Sequence, residues 1–185
     1  MIGYAFCGSF CTASRSIKAL EELTKSHTVL PIFSEAFALT DTRFGNAREL
    51  TKQIEDICSQ KGIYTIAEAE KLGPAMPLEA LIISPCTGNT LAKMACAITD
   101  STVTMAAKAH LRNCKALIIA LASNDALSAN LKNIGVLLSR KNVYFVPFGQ
   151  DDPVSKPASL VCDFSKIEST LNRALSGIQI QPLLL

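Results

Sequence analysis

Hydroxyl and amide side chains gather where several short apolar segments of this 185-residue chain end. These positions are Gly8, Ser9, Ser34, the run Ser84-Pro85-Cys86-Thr87-Gly88-Asn89-Thr90, and Ser123-Asn124-Asp125. Hydroxyls and the backbone N–H groups of a helix N-terminus bind a phosphate or a polar heterocycle, but they supply no proton shuttle. Helix capping or turn formation explains any one of them alone. Their recurrence at successive strand ends indicates a ligand site, because the carboxyl ends of parallel strands meet in one crevice.

Common nucleotide-binding and nucleophile motifs are absent from the chain. The loop Gly8-Ser9-Phe10-Cys11 does not match G-x-G-x-x-G, and neither G-x-x-x-x-G-K-[ST] nor G-x-S-x-G occurs. Cys86 is a candidate nucleophile, but no neighbouring sequence element would activate its thiol. The sequence therefore assigns no catalytic residue.

Few side chains suit acid–base chemistry. Only two histidines are present, and His27 begins a predicted strand, which places it at the wrong edge of the sheet. His110 lies within a predicted helix beside Lys108 and Arg112, so we expect both histidines to be structural or solvated. The candidate acids or bases are Asp100, Asp125, Asp151 and Asp152, for which surface solvation is the alternative.

Short apolar segments alternate with longer amphipathic ones, which is the pattern of βαβ units in a parallel sheet. The predicted strands are residues 2–7, 27–33, 63–66, 81–83, 116–121 and 143–147. The predicted helices are residues 12–24, 47–60 after an N-cap at Asn46, 89–98, 101–112, 126–140 and 164–175. Residues 149–153 are predicted to form a loop at the carboxyl edge. The strands are apolar throughout, which indicates helices on both faces of the sheet, and we expect one domain over residues 1–185.

Composition narrows the class of protein. Hydrophobic residues make up 49% of the chain and charged residues 18%, with a formal net charge of +2. This excludes disordered and collagen-like proteins, and the small, scattered charge predicts neither a nucleic-acid nor a membrane partner. Seven cysteines without a C-x-x-C motif indicate a reducing compartment and no metal site. The N-terminus does not read as a signal peptide, so we expect a soluble, cytoplasmic protein, and the low charge favours a homo-oligomer.

Three segments resemble one known family. Residues 85–90 (PCTGNT) resemble the PASANT motif of the flavoprotein family, which contains the homo-oligomeric flavin-containing cysteine decarboxylases and the flavin prenyltransferases. Leu121-Ala122-Ser123-Asn124 stands where that family has Pro-Ala-Met-Asn, and Ala129-Asn130-Leu131-Lys132 is similar to its downstream QENLK segment. The resemblance extends over about residues 2–150. It implies a three-layer α/β/α sandwich with a parallel, flavodoxin-like or Rossmann-like sheet that binds FMN.

The resemblance also implies a set of site residues. Gly8 and Ser9 match the family's flavin-phosphate loop, and Ser34 matches a hydroxyl that follows its second strand. The residues expected along the isoalloxazine and substrate side are Ser84, Pro85, Cys86, Thr87 and Asn89. Asp100 matches an acidic residue before a helix, and Asn89 and Asn124 are the amides expected to orient the substrate.

Two departures from the family bear on the reaction. The decarboxylases carry a His soon after the second strand, but none lies between Phe33 and Ile63, and Met105 stands about where the prenyltransferases carry an Arg. The opening GYAFCGSFCT and the run FGQDDP at residues 148–153 resemble instead a family member that forms one subunit of a two-subunit oxidoreductase. That resemblance implies oxidation of dihydrodipicolinate to dipicolinate in the mother cell of a sporulating bacterium, with NAD or NADP bound through the partner subunit.

Two alternatives stay open from the sequence. The chain could be a stand-alone FMN-dependent enzyme that acts on another small acid. It could also be a non-catalytic subunit of flavoprotein fold that only organises its partner.

Overall fold

Apolar runs rich in Ile, Leu, Val and Phe form the centre of the protein, which a computed structural model describes over residues 1–185. The strands are β1 (Ile2–Phe6), β2 (Val29–Phe33), β3 (Ala80–Cys86), β4 (Ala116–Ser123), β5 (Val143–Phe145), β6 (Phe148–Asp152) and β7 (Lys156–Cys162). The helices are α1 (Ala13–Thr24), α2 (Glu35–Leu39), α3 (Ala47–Cys58), α4 (Ile66–Glu70), α5 (Gly88–Ala95), α6 (Thr102–Leu111), α7 (Leu131–Leu138) and α8 (Ile167–Leu175). Short 3-10 helices, Phe10–Thr12 and Phe164–Lys166, precede α1 and α8.

Five strands pair in parallel in the order β2-β1-β3-β4-β5. In register, Ala5 of β1 lies between Ile32 of β2 and Ile83 of β3. This is the flavodoxin-like strand order, in which the chain leaves β1 toward one side of the sheet and leaves β3 toward the other. A crevice is expected outside the carboxyl ends of these two strands, where ligands bind in such folds.

Helices cover both faces of the sheet, as the sequence predicted. Every residue of β1, β2, β3 and β4 is buried, and one apolar cluster of 50 buried residues links the strands to the helices. Side-chain caps fix where the helices begin: the predicted Asn46 cap accepts a hydrogen bond from the N–H of Glu49, and Thr87 and Ser101 cap α5 and α6 in the same way. No helix is long and apolar enough to cross a membrane.

An antiparallel hairpin corrects the prediction for residues 149–153. These residues belong largely to β6, which pairs with β7, and β7 in turn pairs with the end of β4 through Ala122↔Val161 and Ser123↔Leu160. The sheet is therefore mostly parallel with an antiparallel extension. The polar sequence of β6 does not read as a strand because this hairpin is partly exposed at the edge of the sheet.

Other predicted elements also need correction. The third strand predicted at residues 63–66 is wrong, because only Ile63 pairs with Ile32, and Thr65 instead caps α4 in a capping box with Glu68. The helix predicted at 126–140 begins only at Leu131, after a series of turns. Helix α2, which directly follows β2, was not predicted; Ser34 caps its first turn.

Candidate functional site

A crevice of about 720 Å³ lies outside the carboxyl ends of β1 and β3, where the strand order reverses. Seven of the strand-end positions that indicated a ligand site in the sequence line it together: Gly8, Ser9, Thr87, Gly88, Ser123, Asn124 and Asp125. Its volume falls within the range of roughly 300–1,000 Å³ that is usual for small-molecule sites. The crevice is therefore the candidate functional site.

The loop after β1 forms one wall of the crevice. Ser9 turns the chain by donating its N–H to the carbonyl oxygen of Cys7 at 2.8 Å. The hydroxyl of Thr12 donates to the Ser9 hydroxyl and carbonyl oxygens, both at 3.0 Å. Arg15 follows three residues after Thr12 in the first turn of α1 and also lines the crevice. Two hydroxyls and a guanidinium are thus presented by one short segment.

The loop after β3 forms the second wall. The Thr87 hydroxyl accepts a hydrogen bond from the N–H of Thr90 at 3.2 Å, which starts α5 at Gly88. Gly88 has no room for a side chain, because a Cβ placed there would come within 2.6 Å of a carboxylate oxygen of Asp125. The first turn of α5 therefore packs directly against the loop that follows β4.

A hydrogen-bonded cluster after β4 forms the third wall. The carboxylate of Asp125 accepts the Ser123 hydroxyl at Oδ1 and the Asn130 amide at Oδ2, the latter at 2.8 Å. The side-chain oxygen of Asn130 accepts from the amide of Asn133, also at 2.8 Å, and both asparagines are buried. Asn124, next in the same loop, is exposed, and its side-chain oxygen accepts a 3.4 Å hydrogen bond from Ser159.

Three cationic side chains reach the crevice from separate elements, and none of them was predicted from the sequence. Arg15 stacks over the ring of Phe164, with 5.3 Å from its guanidinium carbon to the ring centre. Arg43 lies over the neighbouring Phe44 ring at 4.8 Å, and Lys156 on the hairpin pairs with Asp151 at 3.2 Å. Arg15 could have been found from the sequence, because it follows the first predicted strand-end loop by only a few residues. Nothing local in the sequence relates residues 43 and 156 to the strand ends.

Buried residues of β3 form the floor beneath these walls. Ser84, Pro85 and Cys86 are all buried, so their side chains lie under the crevice lining. The Ser84 hydroxyl lies 3.0 Å from the Tyr4 hydroxyl, which donates to it, and 2.9 Å from the Ser16 hydroxyl. This closed network ties β1, α1 and β3 together directly below the site.

Thiols near the floor are not activated nucleophiles. Burial raises the pKa of the Cys7 thiol to about 11, although the Thr90 hydroxyl donates a hydrogen bond to its sulfur at 3.3 Å. Burial also raises the pKa of Cys86 well above its ordinary value. Both side chains are therefore neutral, apolar fillers at neutral pH, and Cys86 lacks the thiolate character of a nucleophile.

Besides Ser84, Pro85 and Cys86, three more of the predicted cofactor-site residues lie outside the crevice lining. The Ser34 hydroxyl accepts the N–H of Phe37 and caps α2, while Asn89 is exposed in the first turn of α5. Asp100 is exposed and bonded to Lys93 at 2.9 Å, and this bond lowers the pKa of the carboxyl. Their predicted roles in cofactor binding remain predictions.

The N-terminus of α6, next to Asp100, is already occupied by a carboxylate side chain of the same protein. The carboxylate of Glu35 accepts the backbone N–H of Thr102 at 3.2 Å and its hydroxyl at 3.0 Å. An internal carboxylate thus satisfies the N–H group that a ligand phosphate would otherwise use at this helix end.

Neither histidine reaches the crevice. His27 precedes β2 at the amino edge of the sheet, as predicted. His110 is fully buried, and its Nε2–H donates to the carbonyl oxygen of Ala116 at 2.8 Å. Burial lowers its pKa, so His110 is a neutral structural residue and is not solvated.

A family model described as Flavoprotein matches residues 2–175. The chain belongs to the flavoprotein family. The resemblance carried by residues 85–90 is thereby confirmed at the level of the family.

Two relatives match the chain from end to end. The B-type subunit of dipicolinate synthase from Bacillus subtilis (strain 168) is 42% identical over 184 residues, which span 99% of this chain and 92% of the relative. The crystal structure of the corresponding dipicolinate synthase protein from Bacillus halodurans superposes with a TM-score of 0.91 at 40% identity, over 100% of this chain and 95% of the other. The chain is therefore similar to this B-type protein along its whole length.

A more distant flavoprotein shows the fold alone. The FMN-dependent cysteine decarboxylase SpaF matches with a TM-score of 0.67 at 21% identity, over 94% of this chain and 95% of the other. The two proteins share a fold although only about one residue in five is identical. The fold predicted from the sequence is confirmed.

Proposed function

We propose that this chain is the B-type subunit of a dipicolinate synthase, and that with an A-type subunit it oxidises dihydrodipicolinate to dipicolinate. The proposal rests on one observation: about two residues in five are identical, from end to end, between this chain and dipicolinate synthase proteins of that type. The proposal places the complex in the cytoplasm of the mother cell of a sporulating bacterium.

The charge of the crevice suits such a substrate. Dihydrodipicolinate is a small ring with two carboxylates, and charge-assisted hydrogen bonds from Arg and Lys are the strongest contacts available to carboxylates. Arg43 and Lys156, on the 42–45 turn and the hairpin, are the cations we assign to them. A neutral or cationic substrate would leave the Arg43 guanidinium without an anionic partner, whereas Lys156 already pairs with Asp151.

The crevice also fits a bound FMN. Ser9 and Thr12 present hydroxyls and Arg15 a guanidinium at the first βα turn, which is a suitable donor set for a phosphate. The rings of Phe10 and Phe44 line the same crevice and offer flat apolar surface to a ring system. When bound, the flavin would supply a two-electron acceptor, while Asn124, which lines the crevice, orients ligands through its amide.

A nicotinamide cofactor is assigned to the A-type subunit. The loop after β1 lacks the glycine spacing of a dinucleotide-binding turn. The N-terminus of α5 offers no such turn either, because the side chains of Ser123, Asp125 and Asn130 pack against Gly88 there. NAD or NADP would therefore accept electrons through the partner.

An apolar surface is available for assembly. Leu127, Leu131, Leu138 and Leu184 are exposed around a groove of about 860 Å³ between α7, the hairpin and residues 183–185. An exposed apolar patch of this kind on a chain with few charges favours burial against another protein. We propose that this surface, which we call the α7 face, packs against a second copy of the chain in a homo-oligomer.

Reconstitution tests the proposal. The chain is co-expressed with the A-type subunit of the same organism, purified, and supplied with dihydrodipicolinate, FMN and NAD or NADP. We expect the two chains to purify together and dipicolinate to form only when both are present. Each subunit is tested alone at the same concentration as the matched control.

Each other outcome contradicts a part of the proposal. Turnover of another small acid by this chain alone, with no effect of the partner, would support a stand-alone FMN enzyme. A colourless chain that binds no added FMN, in a complex that still makes dipicolinate, would support a non-catalytic scaffold. A complex that forms but makes no dipicolinate would overturn the assigned reaction.

A further inference from the structure

We propose that Asp125 is the general base of the reaction, taking the ring proton that leaves when the dihydropyridine becomes aromatic; this inference rests on the proposed function. The sequence left the chain without a convincing base. The structure places this carboxylate in the crevice, among hydroxyl, amide and cationic side chains that do not accept a proton at neutral pH.

Two carboxylates line the crevice, and their surroundings differ. Asp151 forms an ion pair with Lys156 at 3.2 Å, so its charge is already balanced by a partner that we assign to substrate binding. Asp125 forms no ion pair, and its hydrogen-bond donors are the neutral Ser123 and Asn130. Asp125 is therefore the carboxylate free to accept a proton.

The position of the Asp125 carboxylate is fixed by its neighbours. The buried Asn133 orients Asn130, which donates to Oδ2, while Ser123 donates to Oδ1. Each carboxylate oxygen has a second lone pair that these bonds leave free. A base held in one orientation with unused lone pairs is pre-organised to receive a proton from a ligand in the same crevice.

The side that faces α5 is equally fixed. The Asp125 carboxylate packs against the backbone of Gly88, where any side chain would displace it. Packing against the first turn of α5 therefore fixes the carboxylate on this side as well.

The proposed step is balanced in atoms and electrons. A C–H bond on one saturated ring carbon breaks, and its electron pair leaves with the hydrogen as hydride to an oxidised flavin or nicotinamide, which is reduced by two electrons. A C–H or N–H bond at a neighbouring ring atom also breaks, and its electron pair stays to complete the aromatic ring. The proton goes to the Asp125 carboxylate and then to water.

Substitution of Asp125 in the two-subunit complex tests the inference. In Asp125→Asn we expect kcat for dihydrodipicolinate to fall about 100-fold or more, because general-base catalysis contributes roughly 10²–10⁴-fold. The dissociation constant for the product dipicolinate, measured by calorimetry, should change less than about threefold or decrease, because a negative charge is removed from an anion site. The matched control is Asp56→Asn on the exposed side of α3, for which both values should match wild type.

Chemical rescue separates a base from a structural residue. In Asp125→Ala, added formate or acetate should restore part of kcat, with the more basic anion more effective at equal occupancy. A kcat within about threefold of wild type in Asp125→Asn would overturn the inference. So would an equal loss of kcat and dipicolinate affinity, or an Asp125→Ala variant that no carboxylate rescues.

Dipicolinate formation by the wild-type complex distinguishes failure of the proposed function from failure of the assignment of Asp125 as the base. If wild type makes dipicolinate while Asp125→Asn is fully active, only the base assignment fails. If the wild-type complex makes none, the proposed function fails, and the base assignment fails with it.

Discussion

The backbone of Gly88 lies directly against the carboxylate of Asp125, so that a Cβ on Gly88 would stand 2.6 Å from Oδ1. The contact joins the first turn of α5, after β3, to the loop after β4. It brings two strand ends, separated by 37 residues along the chain between positions 88 and 125, into one ligand-binding crevice.

This contact predicts the effect of a single methyl group. Gly88→Ala should lower the free energy of unfolding by about 1–3 kcal/mol, because the new Cβ displaces Asp125, Ser123 and Asn130. The matched control is Gly135→Ala in α7, where nothing lies within 4 Å of the added Cβ and stability should rise by about 1 kcal/mol. Urea unfolding of both variants measures the difference, and equal stabilities would contradict the packing described.

Arg43 should contribute to affinity for the substrate. Arg43→Gln removes a charge-assisted hydrogen bond to a carboxylate, which predicts about a tenfold or larger rise in the dissociation constant for dipicolinate. Calorimetry on the two-subunit complex measures it. Arg48→Gln, an exposed arginine on α3 outside the crevice, is the control and should leave the affinity unchanged. Equal affinities of the two variants would remove Arg43 from the site.

Arg15 should contribute to the affinity for FMN and not to that for the substrate. Because it extends from the turn that holds Ser9 and Thr12, Arg15→Gln should weaken FMN binding by about tenfold. Dipicolinate affinity should change less, and flavin fluorescence titration alongside calorimetry measures both. If Arg15→Gln weakens the binding of dipicolinate and not that of FMN, Arg15 belongs to the substrate site instead of the cofactor site.

Assembly through the α7 face predicts a change in mass. Gly135 is exposed with open space around it, so Gly135→Arg fits the free chain but places a bulky charge on this face. Light scattering after size-exclusion chromatography should show a smaller oligomer for the variant than for Gly135→Ala. If the oligomer is unchanged and only binding of the A-type subunit is lost, the face belongs to that partner instead of a second copy.

His110 should make stability depend on pH on the acidic side. Its pKa is lowered by burial, so below about pH 6.5 the unfolded chain binds a proton that the folded chain does not. The contribution of His110 to the free energy of unfolding should therefore be complete above pH 6.5. Below that pH it should decrease, by at most about 1.4 kcal/mol per pH unit. Urea unfolding between pH 7.5 and 5.5 measures the slope. His110→Gln should reduce this slope relative to His27→Gln, which serves as the comparison variant. The same slope in both variants would contradict the assignment.

Local patterns in the sequence determined much of this protein. The alternation of apolar runs with amphipathic segments predicted the parallel sheet covered on both faces, because strand and helix periodicities are short-range properties of the chain. The cap at Asn46 was predicted correctly. The structure also brings the loop residues Gly8, Ser9, Thr87 and Asn124 into one crevice, while their role in binding stays a prediction.

Other features depend on which distant segments come together, and only the tertiary structure decided them. Arg15, Arg43 and Lys156 meet in the crevice from a helix, a turn and a hairpin. Ser84 and Cys86 lie beneath the lining because β3 is covered on both sides. The physical reason is that strand pairing and burial are set by contacts between residues far apart in the chain, and such contacts leave no period in the local sequence.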